Sequence, residues 1–382
     1  MQFRYLFNID QPRNQVVSPE PFPAAPLSDF HTVHSYIRNA ADNTKVAGEH
    51  GDELCEILVP TGQQHAYWPI RLLQNAQLGK VSYAKILERI PSTNEIEPPQ
   101  WRVTEHDCAI KIMLHSKISA GGADDPHTEI NAMRHMQEHA AAIHNHTIHD
   151  NCTIDDMRNR AEFYIEQHHV MTHIEILNNV EELCIVMPYC DGGEMSEITN
   201  ISELEARKYM LQLLDMYDFL QGAEVCHRGL SLENILITRN RQGEAHLVMI
   251  QFGMCSKIPY VSTGGQRGRC MLSRRFCGKL SYMAPEVLVP NANASVDAHA
   301  IDVWALGPIL FCMLCGYFPW YCADDSNLRF RLMCSGNFHQ IAEHWELTWS
   351  DNVKHLLQNM FWKDPRHRLS LQQIRAHPWF QG

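Results

Sequence analysis

The chain has 382 residues, 45% hydrophobic and 20% charged, a balance that suits one large or two ordinary globular domains and excludes a fibrous or wholly disordered protein. A formal net charge of −12 argues against general nucleic-acid binding, which needs a basic face. Thirteen cysteines in no short secreted framework point to reduced thiols in a cytoplasmic protein, MQFRYLFNIDQPRN lacks the apolar core of a secretory leader, and no membrane span is expected.

Residues 1–66 carry Pro12, Pro19, Pro21, Pro23 and Pro26, each of which fixes φ and removes a donor, so an irregular N-terminal extension is expected. It reads either as a docking tail or as a plain loose extension. From residue 67 onward the chain is expected to be globular. WPIRLLQNAQLGKVSYAKILERI, residues 68–90, reads as two strands about a turn at Gly79, with Val81 just beyond it. Cys108-Ala109-Ile110-Lys111-Ile112 is a strand with an embedded lysine, which alone would be a surface residue of an edge strand. A helix carrying Glu129 follows, with Ile130, Met133 and Met136 at helical spacing and Asp124 and Asp125 near its positive N-terminal end. Residues 139–167 form a polar, His-rich insertion. His144, His146, His149 and Cys152 could be written as a metal site, but their spacing matches no paired-ligand zinc pattern, and a solvated insertion accounts for them.

Residues 169–193 read as two strands joined at Asn178-Asn179, ending through Met187, Pro188 and Cys190 in glycines. A helix over 201–222 is expected to bury Leu204, Met210, Leu211, Leu214, Tyr217 and Leu220, with Ser202 and Glu205 as a capping box. It leads into VCHRGLSLENILIT, residues 225–238, and a strand at 246–250 enters Gln251-Phe252-Gly253. Residues 254–283 are rich in basic side chains, which usually means a solvated face but could attract an acidic partner. Apolar helical sequence closes the chain, with Asp302-Val-Trp304, Asp364-Pro-Arg-His-Arg368 and His377-Pro-Trp-Phe380 as its landmarks.

In order and spacing these segments resemble the protein kinase family, Ser/Thr type. The resemblance implies an α+β, bilobal fold: a small β-rich N-lobe with one αC helix, about 67–188 with the insertion 139–167, and a larger α-helical C-lobe, about 192–382. It aligns Gln74, Ala76, Gly79 and Val81 with the glycine-rich loop, and it makes Lys111 the phosphate-binding lysine paired to Glu129, with Ala109 and Leu236 at adenine-lining positions. Met187 becomes the gatekeeper, the backbone of Pro188 and Cys190 the adenine-edge contact, and Asn234 a Mg²⁺ ligand. Phe252, His227 and Met133 fall at spine positions. Asp302 is implied to support the catalytic loop and Glu286 to pair with Arg368.

The departures fall on the chemistry. Gly229 stands where the family has its catalytic Asp, Ser231 where it has the phosphate-steadying Lys, and Gln251 where it has the Mg²⁺-binding Asp. Arg275 and Lys279 occupy the positions of two threonines of the activation segment. The expectation is a catalytically impaired pseudokinase that binds ATP weakly, with Mg²⁺ binding in doubt, and acts on a protein partner, with neither nucleic acid nor membrane involved. The rival is an active atypical Ser/Thr kinase in which Glu233 or Glu194 replaces the base. A decayed relative without nucleotide binding is the third reading.

Overall fold

Two compact units divide the chain, one formed by residues 22–197 and 233–254, the other by 198–232 and 255–381. The computed structural model describes residues 15–381 except 17–19, 42–43, 47–53, 92–98, 119–123, 144–151, 241, 259–261, 264–265, 268–269, 274–276 and 289–294. It gives the backbone alone for 15–16, 262–263, 266–267, 270–273 and 295.

The first unit is a sheet. Its main strands are β1 (Ser28–Ser35), β2 (Cys55–Pro60), β3 (His65–Ala76), β4 (Gly79–Ile90), β5 (Gln100–Leu114), β6 (Glu175–Asn178) and β7 (Glu182–Pro188). Period-two alternation turns Ser82, Ala84 and Ile86 of β4, and Cys108, Ile110 and Ile112 of β5, to one buried face. The β3–β4 hairpin turns at Gln77-Leu78. Gly79 pairs with Met113, and a Cβ there would fall 1.9 Å from the Ile112 carbonyl oxygen, so only glycine lets β4 approach β5 so closely.

Strand β7 pairs with β5 on one side and β6 on the other, while β6 continues through β1 and β2 to β3 and β4, so the sheet closes on itself. Inside the ring lie Phe30, Leu58, Tyr67, Ile86, Ile110, Leu177 and Val186. A second cluster, with Ile37, Ile57, Trp68 and Trp101, covers the other face. Burying each such side chain contributes about 1.5–3 kcal/mol.

This corrects two expectations. The irregular extension assigned to 1–66 does not hold for residues 28–60, which supply β1 and β2. Prolines dominate only up to Pro26, and β2 is buried on both faces, so it shows no alternation to read. Second, the unit holds more than one long helix. Besides α1 (Pro126–Ile143) it has α2 (Ile154–His168), inside the stretch read as a solvated insertion. Thr153 caps α2 in a reciprocal capping box with Asp156, and Ala161, Tyr164 and Ile165 are buried. His144, His146 and His149 lie outside the described residues. The strands β8 (Ile235–Arg239) and β9 (Ala245–Met249), read as part of the large lobe, cluster with this unit.

The second unit is mostly helical. Ser202 accepts the Glu205 N–H at 3.2 Å and starts α3 (Glu203–Gly222). Met210, Leu214, Tyr217 and Leu220 face the core as expected, but Leu204 and Leu211 are exposed and Ala206, Leu213 and Met216 are buried instead. The central helix α4 (Ala298–Cys315) has Asp297 as its cap, accepting from His299 and Ala300. Its mean hydropathy of 1.7 over 18 residues departs from the expectation that no stretch is apolar enough to span a membrane. The reason lies in packing. Of that window 78% is buried, and Trp304 meets Trp320, Phe330 and Phe361 in one aromatic cluster.

Candidate functional site

The sequence-selected residues of the first unit converge on β5, α1 and β7. Lys111 projects from β5 opposite Val81 in the ladder, and its Nζ lies 2.6 Å from Glu129 Oε2 on α1, both side chains almost wholly buried. Asp125 sets the start of α1 by accepting the His127 and Thr128 N–H groups. Burial works against the Lys111 ammonium, but the Glu129 and Asp124 carboxylates outweigh it and hold the lysine pKa above its ordinary value.

Ala109 is the register partner of Met187, and the β5–β7 ladder ends at Pro188, leaving Tyr189 and Cys190 beyond it. Leu236 forms a bridge to Glu194, and Gly192 and Gly193 exchange hydrogen bonds with Ile237. The segment after β7 is thereby fixed beside β8. Burial pushes the Cys190 thiol up to about 12, so it is no nucleophile at neutral pH. The backbone at Pro188 and Cys190, with Ala109 and Leu236 beside it, is a frame for a flat heterocycle.

Gln251 follows β9 with φ 71°, and its side chain points at Lys111: Nζ donates to Oε1 at 3.5 Å, while Nε2 donates to Asp124 Oδ2. Both ends of the amide are engaged by protein groups. A hard divalent cation wants charged oxygens, and position 251 offers a neutral one already turned to an ammonium, so the residues at this place do not fit Mg²⁺. Among the described residues no group of three or more His, Cys, Asp or Glu could hold a metal. Gln74 and Ala76, where glycines would let a backbone approach phosphates, carry side chains on β3. Asn234 ends a short 3₁₀ turn, and its carbonyl accepts the Ile250 N–H at 2.9 Å.

The second unit holds Gly229 and Ser231. Asp302 of α4, itself buried, accepts the His227 N–H at 2.7 Å and the Arg228 N–H at 2.8 Å, which pins the loop backbone. Gly229 N–H meets His227 Nδ1 at 3.2 Å. Arg228, Gly229, Lys279 and Tyr282 line a cavity of about 30 Å³, room for a water or two but no organic ligand. Ser231 is buried and its Oγ has no hydrogen-bond partner. Gly278 takes φ 91° where a Cβ would fall 3.0 Å from the Arg228 carbonyl, bringing the end of the basic segment onto this loop. Arg368 grips Glu286 with two bonds of 2.9 and 3.0 Å and stacks over Trp304. His227, Met133 and Phe252 are each fully buried in their own units.

Two features escaped the sequence reading. Asp124 was placed only near a helix end, yet it meets Gln251. A buried cluster links Glu175 Oε2 to His65 Nε2 at 2.9 Å and to Tyr67 OH at 2.6 Å, tying β6 to β3. Its members are far apart in sequence, and no local pattern announces it. Arg269, Arg274 and Arg275 lie outside the described residues.

Comparison with known proteins agrees with this geometry. Residues 101–380 match the family described as protein kinase domain, a span that begins at β5 and leaves β1 to β4 outside it. The chain is 30% identical over 224 residues to the SNF-related serine/threonine-protein kinase of Homo sapiens, covering 57% of this chain and 26% of that protein. It is 32% identical over 213 residues to CBL-interacting protein kinase 9 of Oryza sativa subsp. japonica, 54% of this chain and 42% of that one. With maternal embryonic leucine zipper kinase of Danio rerio it shares 29% over 221 residues, 56% and 29% of the respective chains. The chain thus spans less than half the length of these relatives. With the match covering most of its length, the chain belongs to the protein kinase domain family.

Proposed function

We propose that this chain is a pseudokinase: a kinase-fold module that recognises a protein partner and does not transfer phosphate. One observation carries the reading. The loop that would present the base is held in place by Asp302, while the residue at the base position, Gly229, has no side chain to accept a proton. A positioned base typically contributes about 10² to 10⁴ in rate, roughly 3–5.5 kcal/mol at 1.36 kcal/mol per decade. Ser231 and Gln251 remove the other two charged groups, and because such groups act as a unit the losses do not simply add.

Weak ATP binding is part of the proposal. The adenine would meet the backbone of Pro188 and Cys190 between Ala109 and Leu236, and Lys111 would take a phosphate, without dependence on Mg²⁺. The absence of disulfides among the described cysteines supports a reduced, cytoplasmic setting. The acidic balance supports a protein partner over nucleic acid.

The active reading needs another carboxylate. Glu194 is engaged by the Ser196 hydroxyl at 2.9 Å, which counts against it as a free base. A thermal-shift titration with ATP, run with and without Mg²⁺, tests the binding half: a rise in midpoint that does not depend on Mg²⁺ supports weak nucleotide binding, and no rise up to millimolar ATP supports the decayed-relative reading.

A further inference from the structure

Gln251 is more than a lost aspartate. Its amide sits between an ammonium and a carboxylate, with the oxygen toward Lys111 Nζ at 3.5 Å and the nitrogen on Asp124 Oδ2. The orientation is fixed by chemistry, because the flipped amide would set oxygen against carboxylate and NH₂ against NH₃⁺. An aspartate here could accept from Lys111 but would face the Asp124 carboxylate, like charge against like, with no proton to offer.

Two further contacts land on the same turn. The Asp125 N–H donates to the Gly253 carbonyl at 3.1 Å. The place a Cβ of residue 253 would occupy is filled by Asp124 Oδ1, an oxygen that is buried and has no hydrogen-bond partner of its own. The charged groups facing one another here are Lys111, Glu129 and Asp124, and the pair of acids leaves the cluster with a negative balance that a carboxylate at 251 would deepen.

We infer that Gln251 is a positioning residue matched to Asp124: its amide bridges Asp124 and Lys111, tying the Gln251-Phe252-Gly253 turn to the segment ahead of α1 with protein groups alone. The bridge does not depend on phosphate transfer, so its failure and that of the pseudokinase reading are separable.

The test is a cycle on the full chain: parent, Gln251→Asp, Asp124→Asn and the double variant, each followed by thermal unfolding. Gln251→Asp is expected to lower the midpoint by ~2 °C or more, the size of shift a broken charged contact produces in a chain this long. Asp124→Asn keeps an amide oxygen for Gln251 and is expected to stay within about 1 °C of the parent. The double variant reverses the hydrogen bond, the asparagine amide at 124 donating to the carboxylate at 251, and is expected to regain most of the loss. The inference is overturned if Gln251→Asp is as stable as the parent, or if the double variant is no more stable than Gln251→Asp alone. A Mg²⁺-dependent ATP shift in the parent also overturns it, since the amide oxygen would then be turned to the ion and away from Lys111.

Discussion

Lys111 Nζ and Glu129 Oε2 stand 2.6 Å apart with both side chains almost wholly buried, an ion pair joining β5 to α1. Pairs of this kind contribute little net stability over an apolar replacement, but removing one partner strands the other charge. Lys111→Met or Glu129→Leu alone is therefore expected to cost about 3–5 kcal/mol, and the double variant less than the sum of the two. Urea denaturation of the four proteins checks it. Additive losses would mean that the two groups do not act as a pair.

The closed sheet makes the N-terminal strands part of the core. Deleting residues 1–14 is expected to leave solubility unchanged, whereas deleting 1–60 removes β1 and β2, opens the ring and exposes Tyr67 and Ile86. Expression yield and size-exclusion profile distinguish the two truncations. A monodisperse, cooperatively folding 61–382 fragment would contradict the ring.

Asp302 accepts two buried backbone N–H groups. Asp302→Ala leaves both without a partner, an expected loss of about 2–4 kcal/mol in a denaturant titration, at roughly 1–3 kcal/mol for each buried group left unpaired. Asp302→Asn keeps one acceptor oxygen and should fall between. Equal stability of parent and Asp302→Ala would show that the loop backbone is held by something else.

His173 is almost wholly buried, and burial, reinforced by Arg134 and Arg160, pushes its pKa down to about 3. In the unfolded chain it titrates near 6.5. As pH falls below about 6.5 the unfolded state takes up a proton that the folded state refuses, so stability drops by about 1.4 kcal/mol per pH unit until about pH 3. Urea midpoints at pH 7, 6 and 5 measure the slope. His173→Phe is expected to reduce it, and an unchanged slope would mean that His173 is protonated in the native state.

How much of this was legible depended on how local each signal is. The segments around Lys111, Glu129, Asp302 and Arg368 were readable because each role sits in a short run with its own spacing, and the contacts of Lys111 with Glu129 and of Asp302 with the loop are those the runs implied. Strands β1 and β2 were not, because prolines upstream masked a segment whose both-sided burial erases alternation. Helix α2 was readable in principle, since Thr153 and Asp156 flank a start and Ile154, Met157, Ala161 and Ile165 repeat at helical spacing, but the histidines ahead of it drew attention to solvent. The Gln251–Asp124 contact joins residues 127 positions apart and has no local signature, so only the folded chain reveals that the amide has a partner.

The central claim is that a kinase scaffold here lacks the groups that move a proton and hold magnesium. A radiolabelled ATP assay of the full chain with a generic basic protein substrate, run with Mg²⁺ and again with Mn²⁺, tests it most directly. The predicted result is incorporation no higher than in a protein-free blank. Incorporation well above the blank that disappears in Asn234→Ala would contradict it.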